Sequence, residues 1–364
     1  MKWSIKVGKI LGIAVYLHFT FLLLLLFLGV MTWQDTGRLH AALRGVAFLG
    51  ALFGCVLLHE LGHALMARKF GIKTTDITLL PIGGVARLEK MPEHPGQEFW
   101  VAVAGPAVNV AIAAGLFAWL SVTHGFAANK EMTLVAGSFV QRLMTVNLFL
   151  AAFNLLPAFP MDGGRVLRAV LATRLGRRRA TAIAANVGQA LAILLGIAGF
   201  FYNPFLIFIA IFVFLGAQAE AGLVEFQSAL GTLRVRDAMM TRFRSLAPND
   251  SLGKAVDELL AGAQQDFPVL ENEQPVGMLR RNDLVKALAH HRRDAPVSEF
   301  MFRDCQSVDD VDRLSLTVEA MHAKHCTTLP VMQAGRVVGL LTLENISELL
   351  MVNAAMDRSA RASR

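Results

Sequence analysis

Long apolar runs broken by short polar segments fill the first 222 residues, and after Leu223 the pattern changes to the shorter amphipathic rhythm of a soluble domain. Runs at about 10–32, 43–67, 99–121, 134–157, 181–201 and 204–222 are each about as long as a bilayer-spanning helix. The first follows Lys2, Lys6 and Lys9 in the manner of a leader peptide, but its length and the lack of a small-residue cleavage site favour a retained span. Tyr202, Asn203 and Pro204 mark a tight turn between the last two. About six membrane helices are therefore expected. Between the second and third runs, Ile72 to Glu89 is too short and too polar to span, and β-branched residues flank Pro81, Gly83 and Gly84. It reads either as an ordinary loop or as a small β-hairpin at the membrane surface, whose free edge would hold an unfolded segment by backbone pairing.

The soluble part contains an internal repeat. VRDAMM at Val235 recurs as VSEFMF at Val297, DFPV at Asp266 as TLPV at Thr328, and VGMLRRNDL at Val276 as VGLLTLENI at Val338, all offset by 62 residues. A constant offset leaves no insertion between copies, and each copy reads as a lead-in segment, an amphipathic helix, two short strands around a glycine and a closing helix. Such α/β units bury their faces by pairing with one another. The expected divisions are a membrane part over 1–222, a linker over 223–234, repeats over 235–291 and 295–353, and a polar tail over 354–364.

Composition agrees with a membrane protein carrying a soluble part: of 364 residues 54% are hydrophobic and 17% charged, with a mean hydropathy of +0.49. The net charge of +7 does not point to nucleic acid, because the basic residues crowd into short loops beside apolar spans. Arg68, Lys69, Lys73, Arg87 and Lys90 follow the second span, and Arg165, Arg168, Arg174, Arg177, Arg178 and Arg179 follow the fourth, whereas the first, third and fifth loops are nearly bare of positive charge. This asymmetry places both termini and the repeats in the cytoplasm of a multi-pass cell-membrane protein. Cys55, Cys305 and Cys326 form no CxxC pair and argue against a disulfide framework or a cysteine-rich zinc knuckle.

The chemistry is concentrated in HELGH, His59 to His63, inside the second apolar run. On a helix the two histidines lie one turn apart on one face, where both imidazoles can close on one zinc ion, with Glu60 beside the attacking water as a general base. Such residues at membrane depth are expensive unless they serve a purpose. A catalytic zinc usually takes three protein ligands. In NLLPAFPMDGGR, Asn154 to Arg165, Asp162 follows two helix-breaking prolines and precedes two glycines, so its carboxylate either turns back into the bundle as that ligand or caps the helix that follows. His18 reads as a packing or hydrogen-bonded residue, and His40, His94 and His124 as loop residues.

Taken together, HELGH, the AGPAVN segment at Ala104 to Asn109 and NLLPAFPMDGGR resemble, in order, three signatures of the site-2 protease family of intramembrane zinc metalloproteases. The resemblance covers about the first 222 residues. It implies one zinc per chain held by His59, His63 and Asp162, Glu60 as catalytic acid/base, Asn154 holding the substrate backbone or the developing oxyanion, and a transmembrane protein as substrate. Gly105, Pro106 and Asn109 carry no chemistry in this reading. The repeats resemble a tandem pair of CBS domains, which implies an adenine nucleotide between the copies and a homodimer through them. The family's nucleotide pattern wants Ser or Thr and, three residues later, Asp. Copy one offers Asp283 with Arg280 in the hydroxyl position, and copy two offers Thr342 with Asn345 in the acid position, so each copy is half complete. Arg280 and Arg281 would face the phosphates. His322, His325 and Cys326 have Leu260, Ala263 and Gln264 as counterparts and read as a solvated helix end. A CBS-regulated membrane transporter and a non-catalytic scaffold are the competing classes; the first expects polar residues along a path through the bilayer, the second a missing catalytic group.

Overall fold

The computed structural model describes residues 3–81, 83–89, 92, 94–124, 137–231, 233–290, 293–303, 306–324 and 326–362. The chain divides into two compact units, Met1–Val224 and Glu225–Arg364.

The first unit opens with two strands, β1 (Ser4–Ile10) and β2 (Ile13–His18), ahead of helix α1 (Phe19–Thr36). The apolar run expected to span from residue 10 therefore begins as a strand, and the helix starts nine residues later. Leu11 and Gly12 both take positive φ in the connecting turn, and the alternation of lysines with β-branched residues suits a strand rather than a buried helix. His18 caps α1, its Nδ1 accepting from the backbone N–H of Thr20. After α2 (Leu39–Lys69), residues 72–89 do form a hairpin, β3 (Thr74–Leu80) and β4 (Gly83–Leu88), which joins β2 in parallel through β3. The result is a four-stranded sheet in the order β1-β2-β3-β4, with β4 at an edge.

Helix α3 (Pro95–His124) is followed by α4 (Phe139–Asn154), α5 (Asp162–Leu175), α6 (Arg177–Phe201) and α7 (Phe205–Leu230). Among the described residues five helices, α1, α2, α3, α6 and α7, are long and apolar enough to cross a membrane. The expected fourth span over 134–157 is corrected: residues 125–136 lie outside the described residues, and α4, with 16 residues, reaches only about 24 Å, short of a hydrocarbon core of about 30 Å. Pro157 and Pro160 end the helix because each lacks an N–H donor, and α5 starts afresh at Asp162. Val140 and Met144 of α4 pack against Leu116 and Leu120 at the far end of α3, while Arg168 of α5 pairs with Glu98 at its start. The crossing that returns along α3 is thus made of two short helices with a break between them. Arg165 and Arg168, counted in the sequence as loop charges, belong to α5, and Arg168 is buried; Arg174 and Arg177 to Arg179 still mark that end as basic.

In the second unit, α8 (Val235–Ala238), α9 (Leu252–Ala261), β5 (Phe267–Glu271), β6 (Gln274–Leu279) and α10 (Arg281–His290) form the first copy. A 3-10 turn at Val297–Glu299, β7 (Val308–Asp309), α11 (Leu314–Ala323), β8 (Thr328–Gln333), β9 (Arg336–Thr342) and α12 (Leu343–Ala362) form the second. The copies exchange their lead-in segments: Met240 bridges to Leu340 of β9, and Phe302 bridges to Met278 of β6. Val235 and Ala238 are buried with Leu314, Val331 and Leu341, whereas Val297 and Met301 are buried with Phe267, Val269 and Leu279. Each copy's core is completed by the other's sequence, which is how two 62-residue units too small to bury their own faces become one body. Asp266 reinforces the pairing, accepting from the backbone N–H of Arg281 at 3.0 Å and from the hydroxyls of Thr327 and Thr328 at 3.1 and 2.6 Å. Helix α12 runs on through Ala362, so the backbone of the expected polar tail is helical to that point.

Candidate metal centre

His59 and His63 sit on α2 with their rings edge to face, centroids 4.7 Å apart, as the helical i, i+4 spacing requires. Their Nε2 atoms are 3.1 Å from each other and 3.3 and 3.2 Å from Asp162 Oδ2. All three residues are buried, and they are the one group of His, Cys, Asp or Glu among the described residues whose ligand atoms converge in this way. Asp162 opens α5, so its carboxylate points back from the break in the fourth crossing rather than outward from a regular helix. Gly163 and Gly164 let this first turn fold flat against the preceding segment: a Cβ on Gly164 would lie 2.6 Å from Phe159 N, and one on Gly163 would collide with the carbonyls of Leu155 and Leu156.

The back nitrogens decide what the front nitrogens can do. His63 Nδ1 lies 2.7 Å from the carbonyl oxygen of Val101, an acceptor only, so Nδ1 carries the proton and Nε2 of the neutral ring presents a lone pair. His59 Nδ1 makes the matching bond to Asn109 Oδ1 at 3.1 Å. Two lone pairs and a carboxylate oxygen then face one another within 3.3 Å in a buried setting, an arrangement that repels unless a cation stands among them. The spacing suits zinc, because ligand atoms about 2.0–2.1 Å from a tetrahedral ion are roughly 3.3–3.4 Å apart. The donor set fits the metal.

Glu98, Val101, Gly105 and Asn109 recur along α3 at intervals of three and four, which puts them on one face. Gly105 lies against the Nε2 edge of the rings, where a Cβ would fall 2.7 Å from His59 Nε2. Sequence reasoning left Asn109 and Gly105 without chemistry; the structure gives Asn109 a direct hold on His59, for which an amide at a fixed interval in an otherwise apolar helix was the available signal. Val101, acting through its backbone, left none.

A cavity of about 420 Å³ opens on this cluster. His59, Glu60, His63, Asn154, Asp162 and Arg165 supply its polar wall, and Gly83, Gly84, Val85 and Ala86 of β4 line it from the sheet edge. Gly84 lies so close that a Cβ there would be 2.6 Å from Glu60 Cγ. The structure thus brings together five of the seven candidate residues. The other two, Asp283 and Thr342, line a second cavity of about 610 Å³ between the repeats, with Asp266, Arg280, Arg281 and Lys286. There Arg280 Nε donates to Asp283 Oδ2 at 2.6 Å, and Thr342 Oγ1 bonds Asn345 Oδ1 at 2.6 Å. Each half-complete pattern is closed upon itself. Cys305 and His325 lie outside the described residues.

Residues 47–136 and 122–195 match the model of peptidase family M50, and residues 235–290 and 297–352 match that of the CBS domain. A zinc metalloprotease of Methanocaldococcus jannaschii is 32% identical over 97% of this chain and 97% of its own. Rip3 of Mycobacterium tuberculosis is 35% identical over 66% of this chain and 64% of its own. Among solved structures, a site-2 protease from Methanocaldococcus jannaschii is 39% identical, covering 60% of this chain and 95% of that one with a TM-score of 0.44. With a relative alike over nearly the full length of both chains, and with the HELGH helix and the aspartate after the double proline in one buried cluster, this chain belongs to peptidase family M50, the site-2 proteases, as a multi-pass intramembrane zinc metalloprotease with a tandem CBS pair.

Proposed function

We propose that His59, His63 and Asp162 hold one zinc ion and that Glu60 is the acid/base of peptide-bond hydrolysis within a transmembrane substrate. The observation that carries this reading is the convergence of two imidazole nitrogens, each fixed by a hydrogen bond at its far side, on one carboxylate oxygen. When bound, zinc supplies the positive charge that lowers the pKa of water and polarises the peptide carbonyl. Glu60 faces the same cavity, takes the proton from the attacking water and returns it to the leaving amine. Asn154, at the last turn of α4 and on the same wall, donates from its amide to the developing oxyanion. The edge strand β4 supports a further step. A substrate segment paired along it would run past Glu60 in extended form, with its carbonyls exposed as they are not in a helix. Substrates with Gly, Pro or Asn near the scissile bond are favoured for that reason, since they unwind at least cost.

A cytoplasmic location for both termini and the CBS pair is part of the same proposal, supported by the basic ends of the crossings. The cavity between the repeats takes an adenine nucleotide: Arg280 and Arg281 face its phosphates, Asp283 and Thr342 its ribose, and the internal pairs of Asp283 and Thr342 open to receive it. A homodimer through the CBS pair belongs to the same reading.

Glu60→Gln keeps the shape of the side chain and removes its basicity, so the purified variant retains about one zinc per chain while cleavage falls by about 10²–10⁴-fold; metal loss, or activity within tenfold of the parent, removes Glu60 from the acid/base role. Asp162→Ala takes away a charge together with a bond, and zinc content measured by elemental analysis drops along with activity. Zinc held as tightly as in the parent would make Asp162 a helix cap.

For orientation, a cysteine introduced at Gly176 is labelled by an impermeant maleimide from the cytoplasmic side and one at Asn203 from the opposite side; the reverse pattern refutes the cytoplasmic CBS pair.

ATP or AMP at millimolar concentration raises the melting temperature of the CBS unit in the full-length protein, because a ligand that binds only the folded state stabilises it by mass action. Asp283→Ala abolishes the shift and leaves zinc content unchanged. An absent shift with every adenine nucleotide turns the repeats into a docking or dimerising module.

A further inference from the structure

Helix α7 touches the segment that carries Asp162 at two places. Gly216 lies so close to Pro160 that a Cβ would stand 2.6 Å from its Cδ. One turn further along the same face, Glu220 Oε1 accepts from Arg168 Nη1 at 2.6 Å. The contacts straddle Asp162, two residues after Pro160 and six before Arg168. The same guanidinium reaches α3 as well, with Arg168 Nε donating to Glu98 Oε1 at 2.6 Å. It also stacks on Phe159, 5.0 Å from the ring centroid.

Arg168 is 1% exposed and Glu98 6%, and the group carries two carboxylates for one cation. Cohesion does not explain it, because well-packed apolar residues in place of a buried ion group usually hold helices together as well or better. A planar fork that must meet two carboxylates on two helices does something that apolar packing cannot: it fixes both the rotation of α5 about its axis and its position along that axis. Small residues pack beside this helix, with Ala184 and Ala185 of α6 and Ala217 and Ala221 of α7 in one cluster with Leu167 of α5, and smooth contacts of that kind permit sliding. Glu98 stands on the face of α3 whose Val101 and Asn109 hold the two imidazoles. The guanidinium therefore refers the aspartate to the same rigid frame as the histidines.

We propose that Arg168 is a positioning residue for Asp162, holding α5 through Glu98 and Glu220 in the register that brings the carboxylate to the imidazole pair. The inference rests on Asp162 being a zinc ligand. Its test uses the full-length protein in detergent with three variants, Arg168→Lys, Glu220→Gln and Asp162→Ala, each checked for fold by circular dichroism and gel filtration. Zinc affinity is measured by competition with a chromophoric chelator, and ligand geometry by the visible absorption of the cobalt-substituted protein. A lysine keeps the charge but has no fork, so Arg168→Lys folds, binds zinc about 10–100-fold more weakly, and shifts the cobalt bands toward those of Asp162→Ala. Glu220→Gln moves both readouts in the same direction by less. A merely structural role would lower the melting temperature of the metal-free protein and leave both readouts at parental values, and that result in a folded Arg168→Lys overturns the proposal. If Arg168→Lys does not fold, Glu220→Gln decides by the same two readouts. Undiminished zinc affinity in Asp162→Ala overturns the ligand reading, and this inference with it; a loss there beside a parental Arg168→Lys overturns this inference alone.

Discussion

Everything in the membrane unit answers to one electrostatic demand: two imidazole lone pairs and a carboxylate oxygen must be kept within 3.3 Å of one another, away from bulk water, without collapsing onto each other or swinging apart. In a medium of low polarity that arrangement is tolerable only if the far side of each ring is bonded and a cation completes the near side. One face of α3 meets the first condition, with a backbone carbonyl for His63 and an amide for His59, and it anchors the guanidinium behind the carboxylate. The glycine at the centre of that face lets the rings lie against the helix backbone. The broken fourth crossing follows from the same demand, because a carboxylate at a helix start, after two prolines, can be aimed where one in mid-helix would be tied to the direction of its turn.

What the sequence discloses about this unit follows the range of the interactions. HELGH is legible because its two histidines are local, one helical turn apart, and Asp162 is legible because prolines and glycines beside an acid leave a local mark as well. The four-stranded sheet was only half visible. Residues 72–89 advertise a hairpin through their own turn, but the parallel pairing of β2 with β3 joins segments some sixty residues apart, and the apolar strand from Ile13 to His18 merges without a polar break into α1. Hydropathy alone cannot separate a strand from the helix it feeds. Arg168 was misplaced for a related reason: an arginine in a loop and an arginine paired with two distant glutamates look alike until Glu98 and Glu220 are brought beside it.

The repeat was plain from its constant offset, and its elements fell where the pattern put them. The exchange of lead-in segments was not plain, since Met240 and Phe302 satisfy the same local pattern whichever core receives them. The exchange gives the pair a common fate. Loss of either copy strips the other of part of its core, so the two behave as one cooperative body around the cavity between them. Within that cavity Arg280–Asp283 and Thr342–Asn345 are each locally satisfied, which keeps these residues partnered at little cost in the unliganded protein.

The cluster's three side chains are not equal in when they come together. His59 and His63 are brought side by side as soon as α2 forms, a matter of helix geometry alone, whereas Asp162 arrives only after α3, α4, α5 and α7 have all found their places. On the proposed ligand set, the HELGH helix alone therefore carries two of the three ligands, and the third depends on the rest of the bundle. Competence on that ligand set thus belongs to the assembled bundle and not to the motif that advertises it.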